Sequence, residues 1–280
     1  MSSGLLVIFL NEAARQPILI HRRKFGYNVF MSILLSGDFH ANAVGELSLI
    51  TKKSLTAKFG QKKFRKIDWH IILGDGGFLW PGNVKTDMFN YRTLALRPFP
   101  ILCVIGNHEP MLGLNLPEKD IGIGETVYLV NDNPFVAYLK RGKIYHINGF
   151  KFLVLGGALS IDQEFRIPGR SWWKEEYWSA EEEANLYSLL DKNKDFDYVL
   201  SHTGPESINY KLFGKLYSVS DKFYDKVAVM NDSVDSRIDC RGWFCGHWHQ
   251  DEAYYDADKK RSYEYLYKEV KLLENEANTI

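Results

Sequence analysis

The sequence predicts an α/β fold of two packed, mixed β-sheets flanked by helices. Three observations carry this reading. Five short apolar runs end at a polar residue, four of them through a glycine, as buried strands do at their turns. Amphipathic stretches of helical period lie between several of these runs. Two segments read as antiparallel hairpins, and βα units mixed with hairpins favour two packed sheets over one doubly wound sheet.

The strand candidates come in order. Ser32–Ser36 precedes Gly37-Asp38, Trp69–Leu73 precedes Gly74-Asp75, and Ile101–Ile105 precedes Gly106-Asn107. Tyr198–Ser201 precedes His202, and Trp243–Cys245 precedes Gly246-His247. Helices are expected over Ala43–Phe59, Val84–Leu96, Ser179–Lys192 and Val219–Met230. The third is the best marked, because Ser179 and Glu182 form a capping box ahead of an apolar stripe at Ala184, Leu186, Tyr187 and Leu190. In KIYHINGFKFLVLGG, Asn148-Gly149 between two apolar runs signals a two-residue turn. EAYYDADKKRSYEYLYKEVKLL alternates about a DADKK turn.

Residues 1–30 read as an N-terminal extension outside the domain, with Met31 a candidate natural start. Residues 31–280 read as one domain. The 280 residues, 45% of them hydrophobic, suffice for a large core. Lys+Arg and Asp+Glu both number 35, so no global basic field draws the chain to nucleic acid or an anionic membrane. No apolar run approaches the ~20 residues that span a bilayer. Cys103, Cys240 and Cys245 form no CxxC, and two of them lie in apolar runs, which suits buried reduced thiols and a cytoplasmic location.

The strand ends carry the chemistry. In α/β folds they open into a crevice while the strands hold them rigid. They display Asp38 and His40, then Asp75, Asn107 and His108, His202, and finally His247 and His249. Imidazole, carboxylate and amide suit borderline divalent ions such as Mn, Fe, Zn, Co or Ni. If the chain stayed extended, each His or Asp pair two residues apart would face one side and serve one centre. So large a set exceeds what one tetrahedral zinc takes. It suits two ions about 3.5–4 Å apart, which together bind a phosphoryl oxygen, activate water and neutralise developing charge. Each cluster alone is an ordinary polar turn; their joint occurrence is the signal. His21, His70 and His146 lie outside the set and read as structural.

GDFH, GDGG, GNHE, SH and GHWH, in that order, resemble the five blocks of the calcineurin-like metallophosphoesterases, over about Met31 to Leu273. The resemblance implies a four-layer α/β/β/α sandwich. It implies Asp38, His40 and His249 as ligands of one metal, Asn107, His202 and His247 as ligands of the other, and Asp75 as the bridge. Manganese is the favoured ion. It also implies that His108 binds no metal and instead protonates the leaving oxygen or stabilises phosphoryl charge; Glu109, directly after it, is a candidate to orient or charge-tune His108. One departure stands out. Members that act on phosphoproteins carry an Asp and an Arg shortly after the second block's Asp, and Gly76-Gly77-Phe78-Leu79-Trp80 holds neither.

Ser160–Trp178, with Arg166, Arg170, Trp172 and Trp173, reads either as a loop over the metals, an Arg gripping phosphate and a Trp contacting an apolar or base-like group, or as a structural loop whose aromatics pack under the next helix. The expected activity is hydrolysis of phosphomonoesters or phosphodiesters. A phosphorylated small molecule or nucleotide ranks first as substrate, a phosphoprotein second and nucleic acid third. No stable nucleic-acid partner, obligate protein partner or membrane is expected. The competing classes are a non-catalytic binding scaffold, which loss of ligands or of His108 would have favoured, and a mononuclear metal hydrolase, which Asn107 and GNHE fit poorly.

Overall fold

A computed structural model describes residues 31–40, 49–77, 97–109, 116–132, 135–217 and 225–275. The expected extension over residues 1–30, with His21, and the expected helix Val84–Leu96 lie outside them.

Two mixed sheets form the centre. In the first, β1 (Ser32–Ser36), β2 (Ile67–Ile72), β3 (Ile101–Cys103) and β6 (Phe135–Leu139) run parallel. Antiparallel strands β13 (Val270–Glu274), β5 (Val127–Asp132) and β4 (Glu118–Lys119) complete the order β13-β1-β2-β3-β6-β5-β4. In the second, β8 (Phe150–Val154), β9 (Asp195–Leu200), β10 (Asp239–Cys245) and β12 (Arg261–Tyr265) run parallel. They are flanked by antiparallel β7 (Lys143–Ile147) and β11 (Glu252–Asp256). All five strand candidates and both hairpins therefore form. Asn148 and Gly149 both take positive φ, 51° and 82°, the backbone of the tight turn their sequence signals.

Period-2 alternation sorts the side chains into layers. Ile33 and Leu35 of β1 and Trp69 and Ile71 of β2 meet Phe152 and Val154 of β8 and Phe244 of β10 between the sheets. Leu34, Ile72, Ile101 and Cys103 point outward beneath Leu55 of α1 (Lys52–Phe59) and Phe64 of α2 (Gln61–Phe64). On the far side, Leu153, Val199 and Trp243 lie under α3 (Ala180–Lys192), α4 (Glu206–Tyr217) and α5 (Lys226–Asp235). The result is the four-layer α/β/β/α sandwich. Each fully buried Leu, Ile or Phe in these layers contributes about 1.5–3 kcal/mol relative to exposure. All three cysteines are buried and free, as expected.

The helix expectations need correction at their ends. Of the helix expected over Ala43–Phe59, residues 41–48 lie outside the described part; a helix begins at Lys52, where Thr51 is extended and its hydroxyl caps the Ser54 N–H. The helix expected over Val219–Met230 begins at Lys226, where the Asp225 carboxylate caps the Val227 N–H, and runs on to Asp235. Residues 218–224 are not described. The strands β4, β5 and β6 and the helix α4 were not anticipated.

The capping box of α3 is present in full, with Ser179 and Glu182 reciprocally bonded. Leu186 and Leu190 are buried and Tyr187 is half-buried, while Ala184 of the expected stripe is exposed. Replacing Ser179 with Ala is expected to cost about 1 kcal/mol, a fall of roughly 2–4 °C in melting temperature. A calorimetric scan checks this; an unchanged melting point would contradict it.

Candidate active site

The carboxyl ends of β1, β2, β3, β9 and β10 open on one rim, and the eight residues displayed there come together. Holding them bends the chain. His40, Asp75, His247 and His249 all take positive φ, at 42°, 49°, 68° and 50°. Each such turn costs a non-glycine residue on the order of 1–3 kcal/mol, and such strain concentrates at functional sites. Bonds between the loops hold it in place. Phe39 and His40 donate their N–H groups to the Asp75 carbonyl at 3.2 and 2.8 Å, and Gly246 N–H donates to the His202 carbonyl at 2.9 Å. The His247 N–H donates to both Asp38 carboxylate oxygens at 3.0 Å.

These turns correct the extended reading of the GHWH pair. With both histidines left-handed, His249 turns to Asp38 and His40, whereas the His247 ring lies against His202, centroids 5.0 Å apart. The two imidazoles therefore serve different ends of the cluster.

The glycines before the ligands also work differently from a simple turn device. Of the four, only Gly74 has positive φ, at 93°. A Cβ on Gly106 would stand 2.0 Å from Asp75 Oδ1, and one on Gly246 would stand 2.3 Å from Asp38 Oδ1. At Gly74 it would meet His202 Nδ1 at 2.2 Å, and at Gly37 the Leu266 carbonyl oxygen at 1.7 Å. Glycine is needed chiefly because the next loop's carboxylate, imidazole or backbone fills the space a side chain would occupy.

Three sets of donor atoms among the described residues each lie within 4.8 Å of one another: Asp38–His40–His249, His40–Asp75–His108 and Asp38–Asp75–His202. They share members and so form one patch. His249 Nε2 lies 3.1 Å from Asp38 Oδ2 and 2.8 Å from His40 Nε2. His202 Nε2 lies 3.4 Å from Asp75 Oδ2 and 2.9 Å from Asn107 Oδ1. Lone pairs of two carboxylates, an amide oxygen and several imidazoles aimed at one another repel unless protons or cations intervene, so this donor set fits divalent metal. His202 shows the design in detail. Its Nδ1 donates to the Leu73 carbonyl at 2.8 Å, which leaves Nε2 as the ligating atom.

Charge at the rim follows from burial and these neighbours. Burial opposes a charged His202 ring, but the Asp75 and Asp38 carboxylates outweigh it and push the ring up to about 10. Against the cost of burial, His202 and His108 hold the Asp75 carboxyl well below the usual range. Burial and the His202 charge push His247 down to about 3. His108 is pushed down to about 4 by burial, with Arg166 adding to the fall and Asp75 opposing it. Glu109 is buried and pushed up to about 8, first by burial and then by Asp75. Its carboxyl accepts the N–H groups of Gly106 at 2.5 Å, Asp75 at 3.1 Å and Gly77 at 3.4 Å. Those bonds clamp the second and third loops together rather than orienting the His108 ring.

The Ser160–Trp178 segment does reach the rim. Arg166 Nη1 donates to His108 Nδ1 at 2.7 Å and to the Ser171 carbonyl at 3.1 Å, and Nε donates to Asp162 Oδ1 at 2.6 Å. Arg170 is exposed, Trp172 half-buried and Trp173 buried. Sequence reasoning missed Asp162, although its spacing of four from Arg166 was a usable signal. It also missed Ser160 and Glu176, both buried beside Asn107. Of the histidines read as structural, His70 is buried with Nε2 2.7 Å from Ser36 Oγ, and His146 is exposed on β7.

Among solved structures, the phosphopantetheinyl hydrolase of Mycobacterium tuberculosis is similar at 13% identity and a TM-score of 0.49, covering 86% of this chain and 92% of its own. A protein of Thermus thermophilus is similar at 11% identity and 0.49, covering 88% and 99%. A further structure reaches 0.50 at 11% identity, covering 88% and 95%, a likeness of fold alone. No curated protein matches by sequence. None of the helices among the described residues is long and apolar enough to cross a membrane. The family model described as calcineurin-like phosphoesterase matches residues 31–251, a span that holds all five clusters on the rim. The chain belongs to the calcineurin-like phosphoesterases and is a metal-dependent hydrolase of phosphoric esters.

Proposed function

We propose that the chain hydrolyses a phosphomonoester or phosphodiester of a small molecule or nucleotide in the cytoplasm, using two divalent ions, with manganese favoured. The observation that carries this reading is the convergence of Asp38, His40, Asp75, Asn107, His202, His247 and His249 on one rim. Asp38, His40 and His249 would hold one ion, Asn107, His202 and His247 the other, and Asp75 both. When bound, the ions supply Lewis acidity at the phosphoryl group and activate water for in-line attack.

The chain's own residues complete the site. An arginine only donates; of its two contacts with the ring, Nη1 to Nδ1 at 2.7 Å and Nη2 to Nε2 at 3.3 Å, the shorter makes His108 Nδ1 the acceptor and places the ring proton on Nε2. Nε2 lies 3.6 Å from Asp75 Oδ2, at the centre of the patch. His108 is thus a neutral donor to charge developing on the phosphoryl or leaving oxygen. Arg166, steadied by Asp162, holds both Nη atoms against the His108 ring, beside the place where a phosphoryl oxygen would be gripped. It stands in for the Arg that the stretch after Asp75 lacks.

The test is a screen of aryl mono- and diesters with manganese added to the full chain. With His108→Ala, kcat is expected to fall on the order of 10²-fold with metal content unchanged. With Arg166→Ala, KM is expected to rise about tenfold, roughly 1.4 kcal/mol of lost binding. Wild-type turnover in both variants would contradict these roles, and no hydrolysis by the metal-loaded wild type would contradict the function.

A further inference from the structure

The Ser160–Trp178 segment touches the rim at a second place, away from Arg166. Asn107 Nδ2 donates to Ser160 Oγ at 2.9 Å, and Ser160 Oγ donates to Glu176 Oε2 at 2.6 Å. The Ser160 N–H lies 3.3 Å from Glu176 Oε1. Asn107, Ser160 and Glu176 are 3%, 3% and 2% exposed, so water does not compete for these bonds.

The direction of the chain of bonds matters. A serine hydroxyl has one proton, and here it goes to the Glu176 carboxylate. The oxygen facing Asn107 can then only accept, so the amide must turn its NH₂ group to Ser160. That leaves Oδ1 pointing the other way, toward His202 Nε2. An amide turned round would offer a cation two N–H donors in place of a lone pair, and binding would fail.

Glu176 is a rigid reference for this lock. Arg141 donates to the backbone carbonyls on either side of it, Glu175 at 2.8 Å and Tyr177 at 3.1 Å. Trp178 Nε1 donates to the Gly156 carbonyl at 2.7 Å. Gly157 leaves room for the Glu176 carbonyl oxygen, which a Cβ there would approach to 2.1 Å.

We infer that Ser160 and Glu176 are positioning residues that lock the Asn107 amide with its oxygen toward the metal, so that the neck of the Arg166-bearing loop governs the affinity of one of the two metal sites. This rests on the reading of Asn107 as a metal ligand. Outer partners of this kind are worth about 10–100-fold in metal affinity.

The experiment is calorimetric titration of the metal-free full chain with manganese. Ser160→Ala is expected to weaken one binding step by about 10–100-fold and leave the other within about twofold. Ser160→Thr keeps a hydroxyl and should restore both steps. Glu176→Gln can donate to Ser160, which frees the hydroxyl proton to face Asn107 and permits the turned amide, so it should weaken the same step. It also serves should the alanine variant fail to fold. Two wild-type steps in Ser160→Ala and Glu176→Gln would overturn the inference while leaving the proposed function intact. Equal weakening of both steps would overturn it too, since a general loosening of the fold would do that. A wild-type chain that takes up no manganese would overturn both.

Discussion

Asp75→Asn is expected to lower kcat/KM by on the order of 10³-fold or more, about 4 kcal/mol of transition-state stabilisation. Asparagine suits the test because, among neutral residues that carry a side chain, it tolerates the left-handed backbone, φ 49°, best. Its amide oxygen can still accept the His108 N–H that Asp75 Oδ1 accepts at 2.9 Å. The change therefore removes charge and the second ligating oxygen while keeping shape. His202 Nε2 at 3.4 Å and His40 Nε2 at 3.8 Å both face the affected oxygen, so both halves of the cluster lose a partner. Steady-state kinetics at saturating manganese checks this. Less than tenfold loss would mean that Asp75 does not bridge.

A large effect of another kind is expected far from the rim. Asp235, at the end of α5, accepts from the Arg261 guanidinium, the Lys259 ammonium and, at 2.8 Å, the Tyr263 hydroxyl. Arg261 is 1% exposed and also donates to the carbonyls of Ile238 at 2.6 Å and Asp235 at 3.1 Å. Asp235→Ala leaves that guanidinium buried without its counter-charge, at a cost of about 3–5 kcal/mol. At roughly 2–4 °C per kcal/mol, the melting temperature should fall by about 6–20 °C. Replacing both partners with apolar residues of similar volume should cost less than the sum of the single changes, because no stranded charge remains. Urea unfolding of the two singles and the double checks the pair. A loss under about 1 kcal/mol in Asp235→Ala would show that the pair is not a structural tie.

The rim was legible because its signals are local. A polar residue directly after an apolar run, in four of the five cases through a glycine, can be read without knowing the fold, and five such signals in one chain converge. The Asn148-Gly149 turn and the Ser179–Glu182 box were legible for the same reason: each acts within four residues. What escaped was non-local or ambiguous. The Asn107–Ser160 bond spans 53 positions and has no pattern at either end. Helix α4 opens after Pro205 and buries Ile208 and Phe213, but its stripe is short. The start of α5 was misplaced because Val219–Tyr224 continues the polar–apolar rhythm that Asp225 interrupts. An extended GHWH would have let its two histidines share a centre; the backbone is left-handed at both, and the His247 N–H is held by Asp38 while the Gly246 N–H is held by the His202 carbonyl, contacts that no local pattern announces.

The claim that one rim holds a paired-metal centre is tested most directly by counting ions. Metal-free full-length chain, titrated with manganese and assayed in parallel on an aryl phosphate, should take up two ions per chain, with hydrolysis appearing as the second is bound. Saturation at one ion per chain with full activity, or no uptake at all, would contradict it.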